Sequence, residues 1–168
     1  MDASITRQTL GDLLRRTAGR VPEKPAIVCG EVSWTFREFD TVVNRLANGL
    51  AARGVALGDR VAILSRNSHA FAALRFALAR LGAVLVPINF MLNADEVAYI
   101  LRHAGAQTLF VGPDMLTLGR EAAGRDTRVT QLLWLPGEDP AVAPADMTGF
   151  EQLLSDDASE PAPALDSR

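Results

Sequence analysis

Between Trp34 and Leu135 short apolar runs alternate with stretches of helical period, and this alternation constrains the fold more than any other feature. Arg60–Ser65 (RVAILS), Ala83–Ile88 (AVLVPI), Gln107–Val111 (QTLFV) and Thr130–Leu135 (TQLLWL) each read as a strand. In Arg60–Ser65 the apolar residues follow one another instead of alternating with polar ones, so both its faces are expected to be covered. Between them Ser68–Leu81, Ala94–Ala104 and Pro113–Gly124 read as helices. Strands that alternate with helices join in parallel through crossover units. The expected fold class is therefore α/β, a mostly parallel sheet with helices on its faces.

The chain ahead of this region prepares it. Thr9–Arg20 reads as a helix with Leu10, Leu13, Leu14 and Ala18 on one face, ended by Pro22 and Pro25. Ala26–Gly30 and Val32–Thr35 read as two short strands around a turn. Thr35 then caps a long helix, and Glu38 three residues on completes a capping box. Phe36, Phe39, Val43, Leu46, Ala47 and Leu50 recur at helical spacing, and Gly54 closes the helix. Asn93 with Glu96 repeats the capping pattern before Ala94–Ala104. Ser68–Leu81 is apolar nearly all round, which predicts a mostly buried helix.

Composition excludes several classes of function. The net charge of −3 offers no basic surface for nucleic acid. A single cysteine, Cys29, permits neither a disulfide within the chain nor a multi-cysteine metal site, and fits a cytoplasmic compartment. The opening residues lack the apolar core of a secretory leader. The most membrane-like run, 70–90, contains Arg75, Arg80, Gly82 and Pro87. One charge at a helix centre in lipid costs about 2.5–3.5 kcal/mol, so a buried helix followed by a strand is the better reading. Lys24 is the only lysine, against sixteen arginines. Chemistry that needs a lysine must use Lys24 or lie outside this chain.

After Leu135 the character changes. Five of the nine prolines fall between Pro136 and Pro163. Eight acidic residues and one basic residue lie beyond Gly137. Residues 136–168 are expected to form an acidic Pro/Ala-rich connecting segment after an α/β unit at 1–135, with Phe150–Leu154 as a short helical turn.

Most reactive residues have structural explanations. No Gly-x-Gly-x-x-Gly, no phosphate-binding Gly-x-x-x-x-Gly-Lys-Ser/Thr and no Gly-x-Ser-x-Gly elbow occurs. His69 and His103 stand 34 positions apart, each near a helix end. Asp95 and Glu96 suit the first turn of a helix, where cap and dipole favour them. Three segments are more specific. Trp34-Thr35-Phe36-Arg37-Glu38-Phe39 is a strand end, a cap and a first helical turn. Gly54-x-x-x-Gly58-Asp59-Arg60-Val61 turns into a strand. Leu78–Asn89 runs from a helix through the Gly82 turn into a strand ending at Pro87. Loops at the carboxyl ends of parallel strands are where such sheets take ligands, which makes Asn89 the best-placed polar residue. The alternative is that Asn89 only ties down the loop after it.

In order and spacing, these segments resemble the opening part of the acyl-adenylate-forming enzymes, above all the fatty-acyl-CoA synthetases. The likeness spans roughly residues 9–135. It implies the first subdomain of such an enzyme. The longer relatives activate a carboxylic acid with ATP and magnesium to an acyl-adenylate and pass the acyl group to a thiol, usually that of CoA. In many of them the segment matching Asn89–Leu92 reads Asn-x-Arg-Leu, and the arginine approaches the nucleotide end of CoA. Here that position is Met91. Asn89 and Met91 are thus the candidate cofactor-side residues, on the CoA side; no catalytic or metal-binding residue is assigned. The family's phosphate loop, ribose-binding aspartate and adenylation lysine belong to later sequence. The resemblance therefore implies an N-terminal fragment, inactive alone, that binds no cofactor itself. ATP, magnesium and CoA are expected for the full-length enzyme, and a proteolytic truncation after Arg168, of the kind a trypsin-like protease makes, or a deliberate one is the expected origin of the fragment. Its partners would be the remainder of the same chain or, through exposed apolar surface, a second copy. A stand-alone binding domain and a fragment of a carrier-protein-loading adenylation enzyme stay open as alternatives.

Overall fold

The computed structural model describes residues 9–139 and 141–161 of the chain. In order, the elements are α1 (Leu10–Arg20), β1 (Pro25–Cys29), β2 (Val32–Thr35), α2 (Phe36–Ala52), β3 (Arg60–Leu64), α3 (His69–Leu81), β4 (Val84–Pro87), α4 (Ala94–Ala104), β5 (Thr108–Val111), α5 (Leu116–Ala123), β6 (Gln131–Trp134) and α6 (Phe150–Leu153). A 3-10 turn, Pro113–Met115, leads into α5. Four strands form one sheet in the order β4-β3-β5-β6, with every neighbouring pair parallel. The expected α/β architecture is the observed one. β1 and β2 make a separate antiparallel hairpin. Two strands alone are marginal in water, and Ile27 and Trp34 anchor this pair against the main core.

Each strand feeds both faces of the sheet, because successive side chains point to opposite sides. Val61, Ile63 and Phe110 enter a core built with α1, α2 and α3. Ala62, Leu64, Leu109 and Val111 enter a second core with α4 and α5. This two-sided burial is why the strand sequences read as continuous apolar runs.

The helix starts follow from local chemistry. Thr35 Oγ1 accepts from the Glu38 amide at 3.2 Å, and the Glu38 carboxylate accepts from the Thr35 amide at 2.8 Å. The Thr35 hydroxyl also donates to this carboxylate at 3.0 Å, and the amide and hydroxyl bonds together hold the Glu38 carboxyl below its ordinary value. Asn93 caps α4 in the same reciprocal way with Glu96. α3 ends at Gly82, which takes the left-handed conformation at φ 67°.

A buried ion pair joins α2 and α3. Arg80 is 7% exposed, donates to Asp40 and to the Asn44 side chain, and packs beside Gly11 of α1.

Composition changes at Pro136, but packing does not stop there. The Trp134 amide donates to Thr148 O at 2.9 Å, which covers part of the β6 edge. Met147, Phe150 and Leu153 are buried. The short helical turn expected at 150–154 is present as α6, and it lies across α2. Arg45 Nε donates to Ser155 O at 2.6 Å, and the Ser155 amide donates back to Arg45 O at 3.0 Å. The end of this tail lies outside the described residues.

Candidate functional site at the carboxyl edge of the sheet

Because the four strands are parallel, the loops after β3, β4, β5 and β6 all leave from one edge. The loops after β3, β5 and β6 frame a cavity of about 190 Å³ lined by Ser65, Arg66, Asn67, Gly112, Asp114 and Glu138, among others. Such an edge is where open parallel sheets accept ligands.

Glycine is required at one point. A Cβ on Gly112 would lie 2.4 Å from Ser65 Oγ. Its absence lets the loops after β3 and β5 meet, and the Gly112 amide donates to Leu64 O at 3.0 Å. Ser65 is buried, and its hydroxyl donates to Arg66 O at 2.9 Å, so it points along its own loop. Arg66 is the cation of the site. Its Nε donates to Asp114 Oδ2 at 3.1 Å, and its guanidinium lies 4.6 Å from the centre of the Phe90 ring. Both ion-pair partners are largely exposed, so the pair contributes at most about 1 kcal/mol. Against this one cation the cavity wall carries Asp114, Glu138 and Asp139.

The two residues singled out from sequence sit together on the loop after β4. Asn89 Oδ1 accepts from the Met91 amide at 3.0 Å, which folds the loop toward Asn93 and the start of α4. Met91 is 81% exposed. The Arg66–Phe90–Asp114 cluster beside them was not singled out from sequence. The only signal was position: Arg66, Phe90 and Asp114 each follow a strand end by two or three residues.

The remaining candidates lie elsewhere. His69 is buried at 7% exposure, edge-on to Trp34 at 5.2 Å and to Phe150 at 6.3 Å. Burial pushes its pKa down, opposed by the Glu151 charge. His103 stacks on Tyr99 at the end of α4. Cys29 is free and partly buried. Among the described residues, no three His, Cys, Asp or Glu side chains gather where they could hold a metal ion. Nor is any described helix long and apolar enough to cross a membrane.

This fold matches known proteins. The pattern described as AMP-binding enzyme covers residues 14–165. The chain belongs to the AMP-binding enzyme family, whose members are ATP-dependent ligases. It is 35% identical over 158 residues to the long-chain-fatty-acid–CoA ligase FadD13 of Mycobacterium tuberculosis, covering 92% of this chain and 30% of that one. The inhibitor-bound N-terminal domain of FACL13 from Mycobacterium tuberculosis superposes with a TM-score of 0.77 at 32% identity, covering 93% of this chain and 38% of that one. The anthranilate CoA ligase AuaEII, solved with anthranoyl-AMP, gives 0.78 at 28% identity, covering 91% and 29%. The chain thus spans about a third of the length of the proteins it matches.

Proposed function

We propose that this chain is the N-terminal portion of an acyl-CoA ligase. The full-length protein would activate a carboxylic acid with ATP and magnesium and transfer the acyl group to CoA. The observation that carries the reading is the family match across residues 14–165 in a chain about a third as long as its relatives. Residues 1–135 serve as the first α/β subdomain and 136–168 as the segment leading onward. A cytoplasmic location belongs to the same reading.

The chemistry of the cavity supports a division of labour. Adenylation brings a carboxylate and a triphosphate together, and needs cations and oriented amides around the developing charge. Here one guanidinium, already paired, faces three carboxylates. The cations come from the rest of the enzyme, and this portion alone is inactive. Asn89 and Met91 lie on the CoA side: Asn89 holds the loop, and Met91 offers exposed apolar surface without a phosphate contact. The acid itself is selected by residues outside this chain.

The test uses the product of a reading frame that continues past residue 168. Its intact mass is measured, and acyl-CoA formation is followed with fatty and aromatic acids, ATP and Mg²⁺. CoA is compared with a thiol-bearing carrier protein as acceptor. Acyl-CoA is the expected product. Transfer to the carrier alone would reassign the acceptor, and no adenylate with any acid would overturn the reading.

A further inference from the structure

α3 is thirteen residues long, carries two arginines among otherwise mostly apolar residues, and has the sequence of a helix covered on all sides. The described residues bury one side fully and the other only in part. Leu74, Ala77 and Leu78 are fully buried, and Arg80 turns inward to Asp40. The opposite side presents Phe71, Ala72, Arg75 and Phe76 to an open groove of about 370 Å³, which Leu10 of α1 closes on its far wall. Leu10 and Leu13 remain 38% and 58% exposed. Arg75 is exposed beside these apolar residues, without an ion pair among the described residues.

We infer that the α1–α3 groove seats a segment of the ligase's own chain from outside these 168 residues, apolar along its buried face and bearing a carboxylate opposite Arg75. The inference rests on the proposed function. Two observations choose this occupant. The chain spans 30% of FadD13 and 38% of the solved FACL13 domain, so most of a ligase of that size lies elsewhere and must meet this portion somewhere. The charge also argues against a second copy. A two-fold dimer places the same patch on itself, which would bury two like Arg75 charges in one apolar interface. A carboxylate-bearing segment neutralises the one charge and covers the apolar residues around it. Helices and extended segments that fill apolar grooves commonly use such spaced anchors.

Thiol labelling tests the inference directly. Cys29→Ser removes the native thiol, and Ala72→Cys places one in the groove with little change in volume. Labelling rates with a small disulfide reagent are compared in the 168-residue chain and in the product that continues past residue 168. We expect the rate in the longer protein to be at least tenfold lower. Adding Arg75→Glu should raise it toward that of the short chain, while Arg75→Lys should not. Equal rates in the two proteins would overturn the inference and leave the proposed function standing, since mass and acyl-CoA formation report that separately. Slow labelling of the short chain that speeds on dilution would assign the groove to a second copy. Slow labelling independent of dilution would assign it to the chain's own residues. Either result overturns the inference. A natural product whose mass ends at residue 168 would overturn both the inference and the reading beneath it.

Discussion

Gly49→Ala shows whether α6 belongs to the folded body. On helix propensity alone, replacing an interior glycine by alanine stabilises by about 0.8–1 kcal/mol. At Gly49 the new Cβ would lie 1.7 Å from Leu153 O and 2.9 Å from its carbonyl carbon. Both are backbone atoms, so no rotamer change relieves the contact. α6 must lift by more than an ångström. Phe150 and Leu153 are 2% and 1% exposed, and losing their burial entirely would cost about 3–6 kcal/mol. The two bonds between Arg45 and Ser155 add about 1 kcal/mol each. A shifted α6 keeps part of this, so the net loss should be about 2–4 kcal/mol after the propensity gain. Urea unfolding followed by tryptophan fluorescence measures it. Gly19→Ala in α1 is the control: nothing lies within 4 Å of its Cβ position, and it should gain about 0.5–1 kcal/mol. The same substitution thus carries opposite signs at two helical sites. Equal effects at the two positions would refute the docking of α6 on α2.

Other expectations follow from the same geometry. Asp40→Ala leaves the buried Arg80 guanidinium poorly compensated and should cost about 3 kcal/mol, while Asp40→Ala with Arg80→Met should recover much of that; single-variant losses below about 1 kcal/mol would contradict the pair's importance. His69 has a folded pKa below its ordinary value because burial disfavours the imidazolium. Its contribution to stability is therefore complete above about pH 6.5 and is lost as pH falls through the lower folded value. His69→Phe should remove that part of the slope between pH 7 and 5, and an unchanged profile would mean that His69 titrates freely. In the longer protein, Met91→Arg should leave CoA affinity unchanged or improve it by at most about 1 kcal/mol; a large loss with the fold intact would place Met91 inside a pocket.

Local chemistry made much of the fold legible. The capping pairs Thr35–Glu38 and Asn93–Glu96 mark two helix starts, and Gly82 marks a helix end, because each acts within a few residues. The run 60–65 announced two-sided burial, and both cores draw on it. What escaped is nonlocal. The helical turn at Phe150–Leu154 was legible, but its burial was not, because it depends on Gly49, about a hundred residues earlier. Asp40 and Arg80 are forty positions apart, and nothing near either announces the other. In the candidate site, the strand-end rule located Asn89. Its amide turns out to hold the loop, and the charged cluster lies on neighbouring loops that only the parallel register brings together.

On the proposed function, the phosphate chemistry of the ligase lies outside these residues. ATP–pyrophosphate exchange tests it most directly. The 168-residue chain, shown by intact mass to be free of longer species, is assayed with Mg²⁺ and a panel of fatty and aromatic acids beside the longer gene product. The account predicts exchange by the longer protein and none by the short chain. Acid-dependent exchange by the short chain would contradict it.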